Sequence, residues 1–273
     1  MSVSQKQPQD TSVEQADLRP PLKWAGGKRW LAPRLRTLWQ GHTHRRLVEP
    51  FVGGLAVALE LRPQRALLND LNAHLINFYR CLQHGLVVQV EMQNVECLYY
   101  RQRQRFNALI RRGEHETQEA ASLFYYLNRT GYNGLCRFNR KGEHNVPFGR
   151  YKRIRYTTDF CAYAALLSRW HFVCVDFGQL ALQPDDLVYA DPPYDVEFTS
   201  YSRHGFDWED QVRLAEWLAQ HPGPVIASNQ ATQRIRELYG RLGFEITLLE
   251  APRRISCNGD RRPALEILAT RGL

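Results

Sequence analysis

The sequence predicts an α/β protein, an open sheet flanked by helices and interrupted by a largely helical insert. Three observations lead there. Apolar runs of strand length, at residues 47–49, 66–70, 187–189 and 224–228, are followed by stretches of helical period. The alternation stops after Gly85, gives way to a polar, largely helical stretch, and resumes at residues 172–175. The last two apolar runs, 244–249 and 264–269, read as a closing hairpin.

Taken in order, the first twenty residues are polar and hold no apolar signal-peptide core, so they read as a mobile tail. Residues 23–28 (KWAGGK) come next, with Lys28 opening a helix through Leu38. The segment lacks the spacing of a phosphate loop. Trp24 beside two glycines suits a wall and floor for an aromatic or cationic ligand. In residues 46–54 (RLVEPFVGG) a strand ends at Glu49, and Gly53 and Gly54 make a tight turn into a helix near Leu55. The second strand ends in Asp70. In nucleotide-binding βαβ units an acid near this spacing accepts hydrogen bonds from a ribose; in the plainer reading Asp70 caps the following helix. With no G-x-G-x-x-G, a single nucleoside fits better than a dinucleotide. Residues 71–85 then read as a helix with Leu71, Leu75, Phe78 and Leu82 on one stripe. Beyond the insert, residues 208–220 (Trp208, Val212, Ala215 and Leu218 inward) and 232–242 read as helices.

The strand at 187–189 runs into Asp191-Pro192-Pro193-Tyr194. Two prolines stop the strand and stiffen the turn. Ligands of open α/β sheets bind at this carboxyl edge. Asp191 and the Pro192 carbonyl can both accept hydrogen bonds from an exocyclic amino group, and Tyr194 can stack on the ring that bears it. A proline-rich turn after a buried strand is the plain alternative, and the motif alone does not decide between them.

The net charge of +8 is concentrated. Residues 101–160 hold thirteen Lys or Arg against five Asp or Glu, and the remainder holds 23 of each sign. A solvated basic face is the ordinary reading of a charge run. Here Phe106, Tyr125, Tyr126, Tyr132, Phe138, Phe148 and Tyr151 are interleaved with the charges, and basic groups with flat rings suit a nucleic-acid surface. No run approaches the ~18 apolar residues of a membrane span. The six cysteines form no C-x-x-C pair and no paired spacing with histidine, which predicts reduced thiols of a cytosolic protein and no metal site.

Several motifs in order resemble the Dam-type DNA adenine-N6 methyltransferases. They are KWAGGK at 23–28, VEPFVG at 48–53, DPPY at 191–194 and RRISCNG at 253–259. The most specific is the block LNRTGYNGLCRFNRKGEHNVPFGRYK at 127–152. The resemblance runs from about Pro21 to the C-terminus. It implies a Rossmann-like, mostly parallel seven-stranded sheet with an inserted target-recognition subdomain. Residues 21–75 and 158–273 would form the catalytic domain, 76–157 the target-recognition domain, and 1–20 a tail. It implies S-adenosylmethionine as cofactor, contacted by Trp24, Lys28, Asp70 and Asp191, with Phe51 and Gly53 lining the same loop. Asp191, Pro192 and Tyr194 would be catalytic. The substrate would be double-stranded DNA at GATC, with no metal and no membrane. A cognate restriction enzyme is the one protein partner it leaves open, and a cytoplasmic, nucleoid-associated location is expected.

By the same resemblance Tyr132 and Asn133 enter the duplex beside the extruded adenine, and Arg137 reads a guanine through its bidentate fork. Leu135 and Pro147 seat a thymine methyl, Lys23 lies near the other outer guanine, and Tyr151 and Lys152 contact the strand and its phosphates. Read by itself, Arg137 is equally a phosphate contact. The chain departs from the pattern after DPPY, where it passes through Asp195 and Glu197 to a helix by a short loop; two extra acids there are unexpected beside DNA. Methyltransferases of other amino groups, in RNA or on a protein glutamine, typically begin the turn with Asn, so Asp191 and the block from Gly131 to Arg137 argue against them. A DNA-binding protein without turnover has no need of Asp191, Tyr194 and Asp70 together.

Overall fold

The computed structural model describes residues 18–195, 205–252 and 264–273. The motif at 253–259 and most of the loop after DPPY lie outside them. Seven strands form one sheet: β1 (Leu47–Glu49), β2 (Ala66–Asn69), β3 (Trp170–Val173), β4 (Leu187–Ala190), β5 (Val225–Gln230), β6 (Glu245–Ala251) and β7 (Ala264–Arg271). Their order is β3-β2-β1-β4-β5-β7-β6. The first five run parallel, and β7 pairs antiparallel with β5 and β6. The expected mostly parallel seven-stranded sheet is therefore present.

The central strands β1, β2 and β4 are buried along their whole length. Both faces are covered, which is why they read in the sequence as unbroken apolar runs. Strand β3 begins two residues before the expected position. Its Trp170 is anchored by an indole N–H to the Pro63 carbonyl at 2.9 Å, while Val175 leaves the strand and donates its backbone N–H to Asn69 Oδ1 at 3.0 Å.

The helices are α1 (Ala32–Trp39), α2 (Ala56–Leu61), α3 (Ala73–Gln83), α4 (Glu96–Arg111), α5 (Gln118–Thr130), α6 (Cys161–Leu167), α7 (Trp208–Gln220) and α8 (Gln233–Arg241). Lys28 opens only a short 3-10 turn, and α1 starts four residues later. The cap of α3 is Asn72, whose side chain accepts from the N–H groups of His74 and Leu75 at 3.1 and 3.2 Å. Leu71 consequently falls outside the helix and is exposed, not on its inner stripe.

The insert between α3 and β3 packs on α3. Phe78 of α3 stacks on Tyr125 of α5, centroids 5.7 Å apart and planes 4° apart, and Phe160 meets both rings edge-on. Phe106, Tyr125 and Tyr126, expected to offer flat rings to bases, are fully buried. Their area is spent on the core; of the interleaved aromatics Tyr132 is the most exposed, at 50%.

Candidate active site and nucleic-acid interface

The strand order reverses between β1 and β4, which is where ligands of open α/β sheets bind. Both strands end there in an acid, Glu49 on β1 and Asp191 just past β4. Lys28 reaches Asp191 Oδ1 at 2.9 Å, and the Ser228 hydroxyl of β5 donates to the same oxygen at 2.8 Å. Tyr189 shares a hydrogen bond with Ser228 from behind, at 3.1 Å. Burial raises the Asp191 carboxyl above its usual range, and Lys28 and Ser228 pull it back down.

Tyr194 is fixed at both ends. Its hydroxyl donates to Glu266 Oε2 at 2.6 Å, and the Lys28 ammonium lies 4.7 Å from its ring centroid. The turn itself is held from below: Gln211 of α7 donates to the Pro193 carbonyl at 2.8 Å and accepts from Asn229 Nδ2 at 2.9 Å. Asp195, the unexpected acid, points inward. It is buried, and Arg234 and Thr232 bind its carboxylate, with Arg234 Nε at 2.6 Å. It presents no charge toward a ligand.

Glu49 is 2% exposed, and its Oε1 has no hydrogen-bond partner among the described residues. Burial first, and the nearby Asp191 second, push its carboxyl well above the usual carboxylate range. An ionised carboxylate here is costly, which favours the neutral form.

Around the β1–α2 turn the pieces expected to hold a cofactor come together. Gly53 has φ of +46°, and a Cβ there would sit 2.8 Å from Trp24 Nε1; the indole lies flush on the glycine pair, as a wall on a floor. Asp70 accepts from Gly53 N at 3.2 Å and from Asn72 N at 3.0 Å, so it ties two strand-end turns together and does not cap α3. Tyr79 of α3 donates to the Gly53 carbonyl at 2.5 Å. Phe51 forms an apolar wall with Phe177 at 5.7 Å and Phe206 at 5.4 Å.

The residues expected to read DNA, Lys23 excepted, lie on the loops after α5. Tyr132, Asn133, Leu135, Arg137, Pro147 and Lys152 are exposed. The segments 131–135 and 147–151 run side by side: Gly131 bridges Phe148, and Tyr132 N donates to the Pro147 carbonyl at 2.9 Å. Asn133 has φ of +52°. Arg137 donates from Nε to Asn145 Oδ1 at 2.9 Å. Two residues are drawn inward. Lys23 donates to the Arg129 carbonyl at 2.9 Å with its ammonium 3.6 Å from the Tyr151 ring centroid, and burial lowers its pKa to about 8. Tyr151 donates to the Gly131 carbonyl at 3.0 Å. Both therefore bind the loops to the segment before α1 in this state. Part of the insert's charge is also internal, since Arg105, Arg111 and Arg112 pair with Glu119, Glu143 and Glu114.

Sequence reading missed Glu49, Asn72, Tyr79, Gln211, Ser228, Asn229 and Glu266. Four of them, Glu49, Ser228, Asn229 and Glu266, sit in otherwise apolar strands, and a polar residue in a buried strand was the signal available.

A mostly parallel sheet with acids at its switch point and a stiff carboxylate turn is the framework of an α/β enzyme, and the basic insert suits nucleic acid. Comparison with known proteins gives the family. The model of the D12 class N6 adenine-specific DNA methyltransferases matches residues 24–255. A retron Ec67 DNA adenine methylase of Escherichia coli is 37% identical, over 92% of this chain and 90% of that one. The DNA adenine methylase of Escherichia coli K12 is 36% identical, over 90% and 92%. A DNA N-6-adenine-methyltransferase of Escherichia phage P1 is 38% identical over 88% of this chain, which spans about a third of that longer protein (34%). The chain belongs to the D12 class N6 adenine-specific DNA methyltransferases. It is thus an enzyme that moves a methyl group from a donor to adenine in DNA. Among the described residues, no helix is long and apolar enough to cross a membrane.

Proposed function

We propose that the protein transfers a methyl group from S-adenosylmethionine to N6 of adenine in duplex GATC, with the adenine turned out of the helix into the DPPY turn. The observation that carries this is the turn's setting. Asp191 stands at the switch point, bonded by Lys28 and Ser228, and Trp24, four residues before Lys28, lies on the Gly53–Gly54 turn that Asp70 ties down.

The donor set fits this cofactor. A half-buried carboxylate at Asp70 suits ribose hydroxyls, and aromatic walls at Phe51 and Trp24 suit a base and a cation. The cofactor supplies a methyl group on an already activated sulfonium. Adenine N6 is a poor nucleophile because its lone pair is delocalised into the ring. Asp191 and the Pro192 carbonyl accept its two hydrogens and favour a tetrahedral nitrogen. Tyr194, its plane set by Glu266 and Lys28, stacks on the base and offsets part of the few kcal/mol that unstacking costs. The protein's contribution is alignment and electrostatics.

On the DNA side, residues 76–157 form the target-recognition unit in this reading. Arg137 reads an outer guanine, Leu135 and Pro147 seat a thymine methyl, and Tyr132 and Asn133 fill the space left by the adenine. Lys23 and Tyr151 would exchange their internal contacts for DNA on binding, and Lys152 neutralises a phosphate.

The expected results are these. Asp70→Ala weakens S-adenosylmethionine binding by about 1–3 kcal/mol, the worth of a charge-assisted hydrogen bond; unchanged affinity by calorimetry would leave Asp70 only as the tie between two turns. Sequencing of modified adenines in DNA from cells expressing the protein finds them in GATC. Arg137→Ala narrows the lead of GATC over sites altered at one outer position, a bidentate contact being worth ~1–3 kcal/mol, whereas Lys152→Ala weakens all DNA alike and lowers the salt slope by about one. Methyl groups confined to another motif would refute the assignment to GATC.

A further inference from the structure

Arg137 opens a hairpin, residues 137–145, in which Phe138 bridges His144 and Asn145 N donates to the Arg137 carbonyl at 3.1 Å. A different helix holds each strand. The returning strand hangs on α4, where Asn107 accepts from His144 N at 2.8 Å and donates to the His144 carbonyl at 3.1 Å. The outgoing strand is held by the start of α3, on both sides of Arg137. Just before it, Asn72 Nδ2 donates to Cys136 Sγ at 3.2 Å. Just after it, the His74 ring stacks on Phe138, centroids 4.8 Å apart and planes 19° apart.

Asn72 and His74 belong to one capped turn, whose backbone is pinned again by Asp70 Oδ1 at Asn72 N. The Arg137 guanidinium is exposed, so no packing fixes its direction. What fixes it is the backbone on either side, together with Asn145. A bidentate contact tolerates errors of only about 0.5 Å and 10–20° in the supporting frame.

We propose that Asn72 and His74 are positioning residues for base selection: by gripping Cys136 and Phe138 they hold the backbone on both sides of Arg137, so that its guanidinium meets one base edge. The proposal rests on the reading of Arg137 as a guanine reader. It assigns part of the enzyme's sequence preference to two side chains that touch neither base nor phosphate. It also joins the turn that carries Asp70 to the loop that selects the target.

The test is selectivity, measured as kcat/KM on a GATC duplex over kcat/KM on duplexes altered at an outer base pair, with full-length protein. Affinity for unrelated duplex and thermal stability are measured alongside. Asn72→Ser keeps a good helix cap but loses the donor to Cys136. His74→Leu keeps apolar bulk but loses the stack. Cys136→Ala and Phe138→Leu remove the same contacts from the other side and stand in where a first variant fails to fold. Arg137→Ala sets the floor, a loss of roughly 5- to 150-fold in the ratio. Asn72→Ser and His74→Leu are expected to lower the ratio by roughly 3- to 10-fold, a fraction of that floor, with affinity for unrelated DNA within about twofold. Combining Asn72→Ser with Cys136→Ala should add nothing, because both remove one contact. An unchanged ratio in folded variants, or an equal loss on every duplex, overturns the proposal. If Arg137→Ala itself leaves the ratio intact, the reading of Arg137 is what has failed.

Discussion

Asp191→Ala is expected to remove methyl transfer, by a factor on the order of 10³ or more, and to leave DNA binding largely intact. Removing one preorganised group at a reacting centre typically costs roughly 10²–10³ in turnover, and Asp191 would serve both the amino group and the cofactor side of the cleft. The substitution has a second effect. Lys28 is 5% exposed and its ammonium bonds Asp191 at 2.9 Å and the Gly26 carbonyl at 3.0 Å. Without Asp191 it is a buried cation short of its main counter-ion, and breaking such a pair costs roughly 3–5 kcal/mol of stability. Asp191→Asn keeps the hydrogen bonds, since its amide oxygen still accepts from Lys28 and Ser228, but not the counter-charge. The expected pattern is the lowest melting temperature for Asp191→Ala, an intermediate one for Asp191→Asn, and turnover lost in Asp191→Ala. Gel-shift affinity for duplex DNA is expected to stay near wild type, because the proposed phosphate contacts lie on the insert and not at Asp191. Turnover within a few-fold of wild type in Asp191→Ala would sink the catalytic assignment.

The sheet was legible because its central strands are buried on both faces and so stand out as apolar runs between helical stretches. Even the three-residue β1 showed, flanked by Arg46 and Pro50. The DPPY turn was legible because two prolines and a carboxylate follow such a run. What pairs with what was not. Asp70 could be read as a cap or as a ligand acid; nothing local says that Asn72 takes the cap and releases Asp70 to bind Gly53 N. The same holds for the support of the turn, where Gln211 on α7 and Asn229 on β5 meet under Pro193. Gln211 lies on the inner face of an amphipathic helix, and only the fold shows that its partner is a strand residue 18 positions away. Basic charge and aromatic rings set one stretch of the sequence apart. They did not separate rings that build its core, such as Tyr125, from rings that reach solvent, such as Tyr132, because both kinds occur in the same helix-and-loop segment.

Acid should loosen the insert first. His74 and His144 flank the Phe138 ring, with His74 stacked on it and His144 edge-on at 5.6 Å, and the Nδ1 of each lacks a hydrogen-bond partner among the described residues. Burial is the main cause that lowers both pKa values from 6.5 to about 4; His115 adds to it at His74, and Arg103, His74 and Arg137 add to it at His144. Both rings are therefore neutral in the folded protein at pH 7. Between pH 6.5 and about 4 the unfolded chain binds protons that the folded chain does not, so stability falls as pH falls through that interval. A shift of this size is worth up to about 3 kcal/mol per histidine by pH 4, a large share of the ~5–15 kcal/mol that holds a typical domain folded. Glu49 acts in the opposite sense. Its folded pKa is raised well above 4.5, so the folded chain keeps a proton that the unfolded one releases, and acidification toward pH 4.5 favours folding at that site. The histidine effect is therefore read as a difference. Denaturant unfolding of wild type and His144→Leu at pH 7, 5.5 and 4.5 should give a gap that moves steadily in favour of the variant as the pH drops, approaching about 3 kcal/mol near pH 4. A gap that does not change with pH would mean that His144 is protonated as readily in the folded chain as in the unfolded one, and that the ring pair around Phe138 admits water.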